Sequence, residues 1–206
     1  MEIISCVTTL FGENCYILKD GGEAIVVDPG EATDEVMDAL EGCTVTALVN
    51  THGHIDHVGG NAAIVKKFGC ELLCHVEAVE MMKSVKLQGQ KYGMDVEDSP
   101  APDRLLDEGD IVKVGSMELK VVNCPGHAPG HIALVGEGFV IGGDVLFQGS
   151  IGRTDLPGGS LEVLMTSIKD AFMTLPDDTV VLSGHGPNTT IGHERMTNPF
   201  ILQYLS

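Results

Sequence analysis

The stretch NTHGHIDH, residues 50–57, places three imidazoles and one carboxylate within six residues, directly after a strand-like apolar run. Neutral imidazole and carboxylate are the ligands that suit zinc and iron. His52 and His54 lie two residues apart, so both can reach one ion from an extended segment. Asp56 and His57 are adjacent and, after a sharp turn, can reach a neighbouring ion. This spacing differs from the His-Glu-x-x-His pattern, which needs the four-residue repeat of a helix.

Three later segments each place a residue of ligand type just past a strand-like run. They carry His127 in the sequence PGH, Asp144 in GGD and His185 in GHG. A glycine beside a ligand lets the backbone turn closely around a site, and residues at strand ends are held by a rigid scaffold. These segments count against the simpler interpretation of residues 50–57, a polar loop whose histidines cap a helix and bind backbone groups. The sequence therefore favours a metal centre.

Along the chain, apolar strand-like runs alternate with helix-like segments, which indicates an α/β fold. Thr33 and Ser160 are placed to cap helices, and after Asp107 the pattern changes to hairpins broken by glycine. The segment from Val85 to Leu105 has no clear period, so we expect a long surface loop there. The main strand-like runs are EAIVVD (23–28), TVTALVN (44–50), IVKVG (111–115), MELKVVNC (117–124), HIALVGEG (131–138), FVIGG (139–143) and DTVVLSGHG (178–186).

Composition limits the classes of partner and the compartment. The chain has 12 Lys and Arg against 30 Asp and Glu, a formal net charge of −18, so we expect neither nucleic acid nor a membrane surface as a partner. Its 43% hydrophobic content is enough for a sizeable core. The six cysteines form no C-x-x-C pair, and no basic run precedes an apolar stretch at the N-terminus. These features predict a reducing, cytoplasmic location.

The ordered pattern H-x-H-x-D-H followed by single His, Asp and His residues resembles the metallo-β-lactamase superfamily of metal-dependent hydrolases. The resemblance covers almost the whole chain. It implies a four-layer αββα sandwich in which two sheets pack face to face, helices lie outside and the metals lie at one edge. It also implies a single domain over residues 1–206, with no separate C-terminal substrate domain.

The resemblance assigns a role to each matching residue. One ion is implied to bind three histidines, a second ion to bind Asp56 and two further histidines, and Asp144 to bridge both ions. A hydroxide held between two divalent ions would then attack the substrate carbonyl, and Asp56 would carry the proton to the leaving group. Zinc is the first expectation, with iron or manganese as alternatives. The implied ligands are His52, His54 and His127 for the first ion, and Asp56, His57 and His185 for the second.

Within the superfamily, residues 149–159 and 197–200 are most similar to the small glyoxalase II-like hydrolases, which implies a small-molecule thioester or ester as substrate. Glutathione-binding members carry a Lys and a Tyr where this chain has Arg153 and Asp155. A β-lactamase is a less favoured interpretation, because many of those enzymes place a Cys where Asp144 stands. The alternatives are a persulfide dioxygenase-like oxidoreductase with one iron and, third, a non-catalytic metal-binding or electron-transfer module.

Five further residues have two interpretations or a structural one. Asp28 either orients a metal-bound histidine or is a turn carboxylate. Arg153 either binds a substrate carboxylate or forms a surface ion pair. We expect His131 to be a hydrogen-bonded structural residue, His75 to lie at a helix end and His193 to lie on the surface.

Overall fold

In the computed structural model, which describes residues 1–205, the first of two large sheets is built mainly from the N-terminal half of the chain. Its strand order is β1-β2-β3-β4-β5-β6. The first three strands pair antiparallel, and β3 to β6 pair parallel. The strands are β1 (Glu2–Thr8), β2 (Glu13–Asp20), β3 (Glu23–Val27), β4 (Thr44–Val49), β5 (Glu71–His75) and β6 (Arg104–Leu106).

The second large sheet comes from the C-terminal half, and a small two-stranded sheet lies beside it. The strand order of the large sheet is β14-β13-β10-β9-β8-β7, and only the β10–β13 pair is parallel. Its strands are β7 (Ile111–Val114), β8 (Met117–Asn123), β9 (Ile132–Gly136), β10 (Phe139–Gly143), β13 (Val180–Ser183) and β14 (Thr189–Thr190), and the small sheet pairs β11 (Leu146–Phe147) with β12 (Ser150–Ile151).

Short helices cover the outer faces of both large sheets. No helix among residues 1–205 has the length and apolar character needed to cross a bilayer. The helices are α1 (Asp34–Leu40), α2 (Ile55–Val58), α3 (Asn61–Phe68), α4 (Val79–Met82), α5 (Val85–Tyr92), α6 (Leu161–Ser167), α7 (Ile191–Thr197) and α8 (Pro199–Tyr204), with a 3₁₀ turn at Val76–Ala78 and a π-helical turn at Ile168–Phe172.

Three apolar layers hold this sandwich together. In β3, Ala24 and Val26 pack under the helices, while Ile25 and Val27 pack between the sheets. This alternation is what a strand buried on both faces produces. The third layer lies between the second sheet and the C-terminal helices, where Phe172 is fully buried. The four-layer αββα sandwich that the family resemblance implies is confirmed.

The predicted helix caps are present. The Thr33 hydroxyl accepts a hydrogen bond from the Val36 N–H at the start of α1, and the Ser160 hydroxyl accepts one from the Val163 N–H at the start of α6. His75 likewise caps the 3₁₀ turn through Nδ1, as expected of a helix-end residue. All six cysteines are free thiols and five of them are buried.

The expectation of a long loop from Val85 to Leu105 is wrong at both ends. Val85–Tyr92 forms α5, and the strand β6 begins at Arg104. The buried positions of α5 are Val85 and Gly89, and a Cβ at Gly89 would meet the Val96 side chain. Because a glycine occupies the buried face, the helix has no apolar stripe in its sequence.

Candidate metal centre

Of the three histidines expected to bind the first ion, two follow β4 and the third follows β8. His52 Nε2 lies 3.0 Å from His54 Nδ1, and His127 Nε2 lies 2.8 Å from the same atom. One ring nitrogen from each residue lies within 4.8 Å of the others. The structure therefore brings together the three residues that the resemblance assigns to the first ion.

A second group forms on the other side of the site. The extended backbone at His54 ends in the short helix α2, and this turn presents Asp56 and His57 toward the loop after β13. His185 in that loop places Nε2 3.2 Å from Asp56 Oδ2. Ligand atoms of Asp56, His57 and His185 lie within 4.8 Å of one another.

Asp144, at the end of β10, lies between the two groups. Its Oδ1 is 3.4 Å from His57 Nε2, while its Oδ2 is 3.5 Å from His127 Nε2 and 3.6 Å from His185 Nε2. The Asp144 N–H donates a hydrogen bond of 3.0 Å to His131 Nε2, so His131 has the structural role expected of it. The carboxylate thus faces both groups at once.

Asp28 orients the second group from behind. Its Oδ1 accepts a 2.7 Å hydrogen bond from the Thr51 N–H, and its Oδ2 accepts one of 2.6 Å from the Thr51 hydroxyl. The same Oδ2 lies 3.0 Å from His57 Nδ1 and accepts from it. The residue is buried and has a left-handed backbone with φ of 52°, a conformation that Asp tolerates better than most residues. This geometry matches the orienting role rather than that of a simple turn carboxylate.

Hydrogen bonds also fix three of the other ligand histidine rings. His127 Nδ1 donates to the Arg153 carbonyl at 2.8 Å, and His185 Nδ1 donates to the Phe11 carbonyl at 3.2 Å. Since the Thr51 hydroxyl gives its own proton to Asp28, it accepts from His52 Nδ1 at 3.0 Å. Each of these rings therefore turns its Nε2 toward the centre, as metal-binding histidines do.

The donor set fits divalent metal ions. Among residues 1–205, the buried atoms His57 Nε2 and Asp144 Oδ1 make no hydrogen bond, although both face the centre. A buried polar atom without a partner costs about 1–3 kcal/mol, and a cation placed between these groups removes that cost. Five imidazoles with two carboxylates are nitrogen and oxygen ligands of the kind that zinc, iron and manganese accept.

Protonation states fit this chemistry at the first group. Burial, and then the neighbouring His127, lowers the pKa of His54 to about 4. Burial lowers the pKa of His52 well below its usual range. Burial alone would raise the pKa of Asp144, but His57 outweighs it and holds that pKa below its ordinary value. Neutral imidazoles and an ionised carboxylate are the forms that bind metal. At His57, burial is outweighed by the carboxylates of Asp144 and Asp28, which raise its pKa well above the usual range, so a metal ion must displace a proton there.

The sequence profile of the metallo-β-lactamase superfamily matches residues 8–185. The chain belongs to this superfamily. A curated relative, hydroxyacylglutathione hydrolase GloC of Haemophilus influenzae, is 37% identical, and the match covers 98% of this chain and 97% of that protein.

Two similar crystal structures belong to the same superfamily fold. The B3 metallo-β-lactamase BLEG-1 superposes with a TM-score of 0.89 at 33% identity, covering 97% of this chain and 99% of that one. TTHA1623 in a di-iron-bound form gives a TM-score of 0.87 at 33% identity, covering 96% and 99%. BLEG-1 is named a β-lactamase, an activity that Asp144 makes a less favoured interpretation of this chain. β-Lactams are therefore included among the substrates to be tested.

Two glycines beside the ligands allow close approaches, one between ligands and one between the ligand loop and α6. A Cβ at Gly184 would collide with Asp144 Oδ1 and approach His57 Cε1 within 2.9 Å. Gly126, with φ of 129°, precedes His127 and lies against the backbone of α6 at Leu164. Gly184 is therefore required for close approach, and Gly126 for both close approach and its backbone conformation.

An open cleft of about 490 Å³ leads to the metal centre. Arg153 lines this cleft, but its side chain forms a bidentate ion pair with Asp155, with Nε–Oδ1 and Nη2–Oδ2 distances of 2.7 Å each. The ion-pair interpretation of Arg153 therefore describes this structure. The other lining residues are Phe11, His54, Asp56, Tyr92, His127, Asp144, Phe147, Ser150, Ile151, Leu156 and His185. His193 lies on the surface, as expected.

Sequence reasoning missed two residues behind the site, Thr51 and Glu13. Glu13 is fully buried; one carboxyl oxygen accepts from the Thr8 hydroxyl, and the other lies 4.0 Å from His57 Nδ1. Burial raises the pKa of Glu13 well above its usual range, although His57 opposes the rise. A glutamate directly after the turn residue Gly12 reads as exposed, so its sequence context carries no signal of burial.

Proposed function

We propose that this protein hydrolyses a small-molecule thioester or ester with the help of two divalent metal ions. The observation that supports this most strongly is the placement of Asp144 between two ligand groups at the base of a cleft. A cleft of about 490 Å³ lies within the size range of small-molecule sites. The named function of GloC, at 37% identity, supports a thioester.

In this proposal the two groups hold one ion each, with zinc as the first candidate and iron or manganese as alternatives. The ions would supply an activated water as nucleophile and polarise the carbonyl oxygen. Asp144 would contribute to both ions because its carboxylate lies near histidines of both groups. Asp28 would keep the His57 ring in place by accepting from its Nδ1.

Asp56 is proposed as the group that moves the proton. It lines the cleft, and its carboxylate lies 3.2 Å from His185 Nε2. Burial raises its pKa, but the hydrogen bond from His185 and the charge of His57 outweigh this, so the carboxylate is ionised and able to accept a proton. It would take the proton from the attacking water and pass it to the leaving sulfur or oxygen.

The cysteine content and the net charge support an enzyme that acts on small molecules in a reducing compartment. Six free cysteines, five of them buried, favour the cytoplasm as its location. The net charge of −18 disfavours nucleic acid and anionic membrane surfaces as partners.

The test combines metal analysis with a substrate panel on the same purified protein. We expect two ions per chain and metal-dependent cleavage of a thioester or ester, with a β-lactam such as nitrocefin as a comparison. One iron per chain with oxygen consumption on glutathione persulfide, and no thioester cleavage, would establish the oxidoreductase instead. Bound metal without turnover on any substrate would favour the non-catalytic module.

Two variants and one control test the proposed ligands. His54→Ala and Asp144→Ala should lower bound metal and reduce turnover by at least about a thousandfold, because each removes a ligand from the centre. His193→Ala is the matched control, since this histidine is exposed and lies outside both ligand groups. Full metal content and activity in either ligand variant would refute the assignment.

A further inference from the structure

Two aromatic side chains from separate elements meet at the mouth of the cleft. Phe11 lies in the turn between β1 and β2, and Tyr92 ends α5. Their ring centroids are 5.3 Å apart with an interplanar angle of 83°, an edge-to-face contact. Both rings line the cleft, yet they remain 39% and 53% exposed. Their exposed faces are therefore available to a bound molecule.

The apolar surface continues from these rings toward the reacting centre. Phe147, Ile151 and Leu156 line the same cleft. The Phe147 ring lies 6.2 Å from the His185 ring, edge to face, so the apolar surface adjoins the second ligand group. Continuity with the metal centre distinguishes this surface from isolated exposed apolar residues.

Lysine and arginine side chains contribute little to recognition in this cleft. Among the described residues that line it, Arg153 is the sole Lys or Arg. Asp155 engages one edge of its guanidinium, Nε and Nη2, at 2.7 Å each. A substrate carboxylate would therefore meet an arginine whose positive charge Asp155 already neutralises.

We propose that the cleft selects an uncharged substrate with a bulky apolar group, which packs against Phe11 and Tyr92. This selectivity rests on the proposed thioester or ester hydrolysis. Glutathione thioesters carry carboxylates that a positively charged side chain would stabilise, and the Arg153–Asp155 pair has no net charge to offer. The substrate class is therefore an aromatic or branched neutral thioester rather than a glutathione conjugate.

The first experiment measures how removal of each ring affects kcat/KM. The probes are S-acetyl-N-acetylcysteamine, its S-phenylacetyl analogue and S-benzyl thioacetate. Phe11→Ala and Tyr92→Ala should each lower kcat/KM by about tenfold for at least one aromatic probe and by less than about threefold for the acetyl probe, because only the aromatic group contacts the rings. Tyr92→Phe keeps the ring, so this variant should retain the wild-type preference for the aromatic probe.

Leu10→Ala is the matched control for the first experiment. This residue is next to Phe11 and 66% exposed but does not line the cleft, so its removal should leave the preference unchanged. Equal losses for the aromatic and acetyl probes in both ring variants would refute the apolar subsite.

The second experiment releases the arginine. Asp155→Asn should raise the ratio of kcat/KM for S-acetylglutathione over S-acetyl-N-acetylcysteamine by about threefold to tenfold at low salt, and the gain should shrink at high salt. Asp38→Asn, on the exposed face of α1, removes one charge remote from the cleft and should leave the ratio unchanged. No change in the Asp155 variant, or a wild-type preference for the glutathione ester, would refute charge selection.

Different results would refute the proposed hydrolysis and the proposed selectivity for apolar substrates. Absence of metal-dependent cleavage for every thioester would overturn the proposed function itself. Cleavage of the acetyl probes with no preference for an aromatic group and no effect of the ring variants would overturn this inference alone.

Discussion

Replacement of Asp28 by Asn tests whether the residues behind the metal centre hold it in shape. The carboxylate accepts from three donors at 2.6 to 3.0 Å, and it is almost fully buried. Asn has nearly the same size and tolerates the left-handed backbone, with φ of 52° at this position. The substitution therefore changes hydrogen bonding and charge while leaving packing and backbone conformation intact.

The magnitude follows from the number of donors that lose an acceptor. If the amide nitrogen replaces Oδ1, the Thr51 N–H loses its partner; if it replaces Oδ2, both the Thr51 hydroxyl and His57 Nδ1 lose theirs. A hydrogen bond to a charged group contributes about 1.5–3 kcal/mol. We therefore expect the free energy of unfolding of the metal-free protein to fall by about 2–4 kcal/mol. Loss of a residue that orients a ligand typically lowers metal affinity about 10–100-fold.

The assay pairs urea unfolding of chelator-treated protein with competition for metal against a chromophoric chelator. Asp38→Asn, an equivalent charge removal on an exposed helix surface, is the control and should change neither measurement appreciably. If Asp28→Asn behaves like this control in both, Asp28 does not orient His57 and the explanation of the ring geometry is wrong.

Two other substitutions probe the backbone around the site and the contact between the sheets. Gly184→Ala should lower metal content by about tenfold or more, measured by elemental analysis, because its methyl group would displace Asp144; normal metal content would contradict the close approach. The pKa of Asp20 is lowered to about 2 by hydrogen bonds from the Ser116 hydroxyl and N–H and from the N-terminal amine, so its stabilisation is present above the usual pKa of 3.8 and is lost as pH falls toward 2. Asp20→Asn should thus lower the urea midpoint at pH 7 and match the unmodified protein near pH 2; a pH-independent difference would exclude this linkage.

The positions of the site residues were predictable because each follows a strand that the sequence marks clearly. Runs such as EAIVVD and TVTALVN are apolar on both faces, and the structure buries them on both faces. Once such strands form a sheet, the residues just beyond their ends share an edge. The resemblance supplied the pairing of the two sheets, which apolar runs alone do not determine.

Features that depend on contacts between distant segments were not predictable. The helix α5 was missed because its buried face contains Gly89, which contributes no apolar signal. Nothing in the sequence marks Glu13 as buried, and only the fold shows that it lies behind His57. For Arg153, sequence left two interpretations open, since an aspartate two residues away is equally compatible with a free and a paired guanidinium.

The order of the ligand residues along the chain identifies the site, but its geometry depends on the fold. Each group takes two side chains from the segment after β4 in the first sheet and one from a loop of the second sheet. Asp144, between the groups, also comes from the second sheet. The separation of the ligand atoms is therefore set by how the two sheets pack, through side chains such as Val49 and Ile141 in the layer between them. A change in that layer would alter the metal centre without touching a ligand, because close-packed interiors transmit displacement.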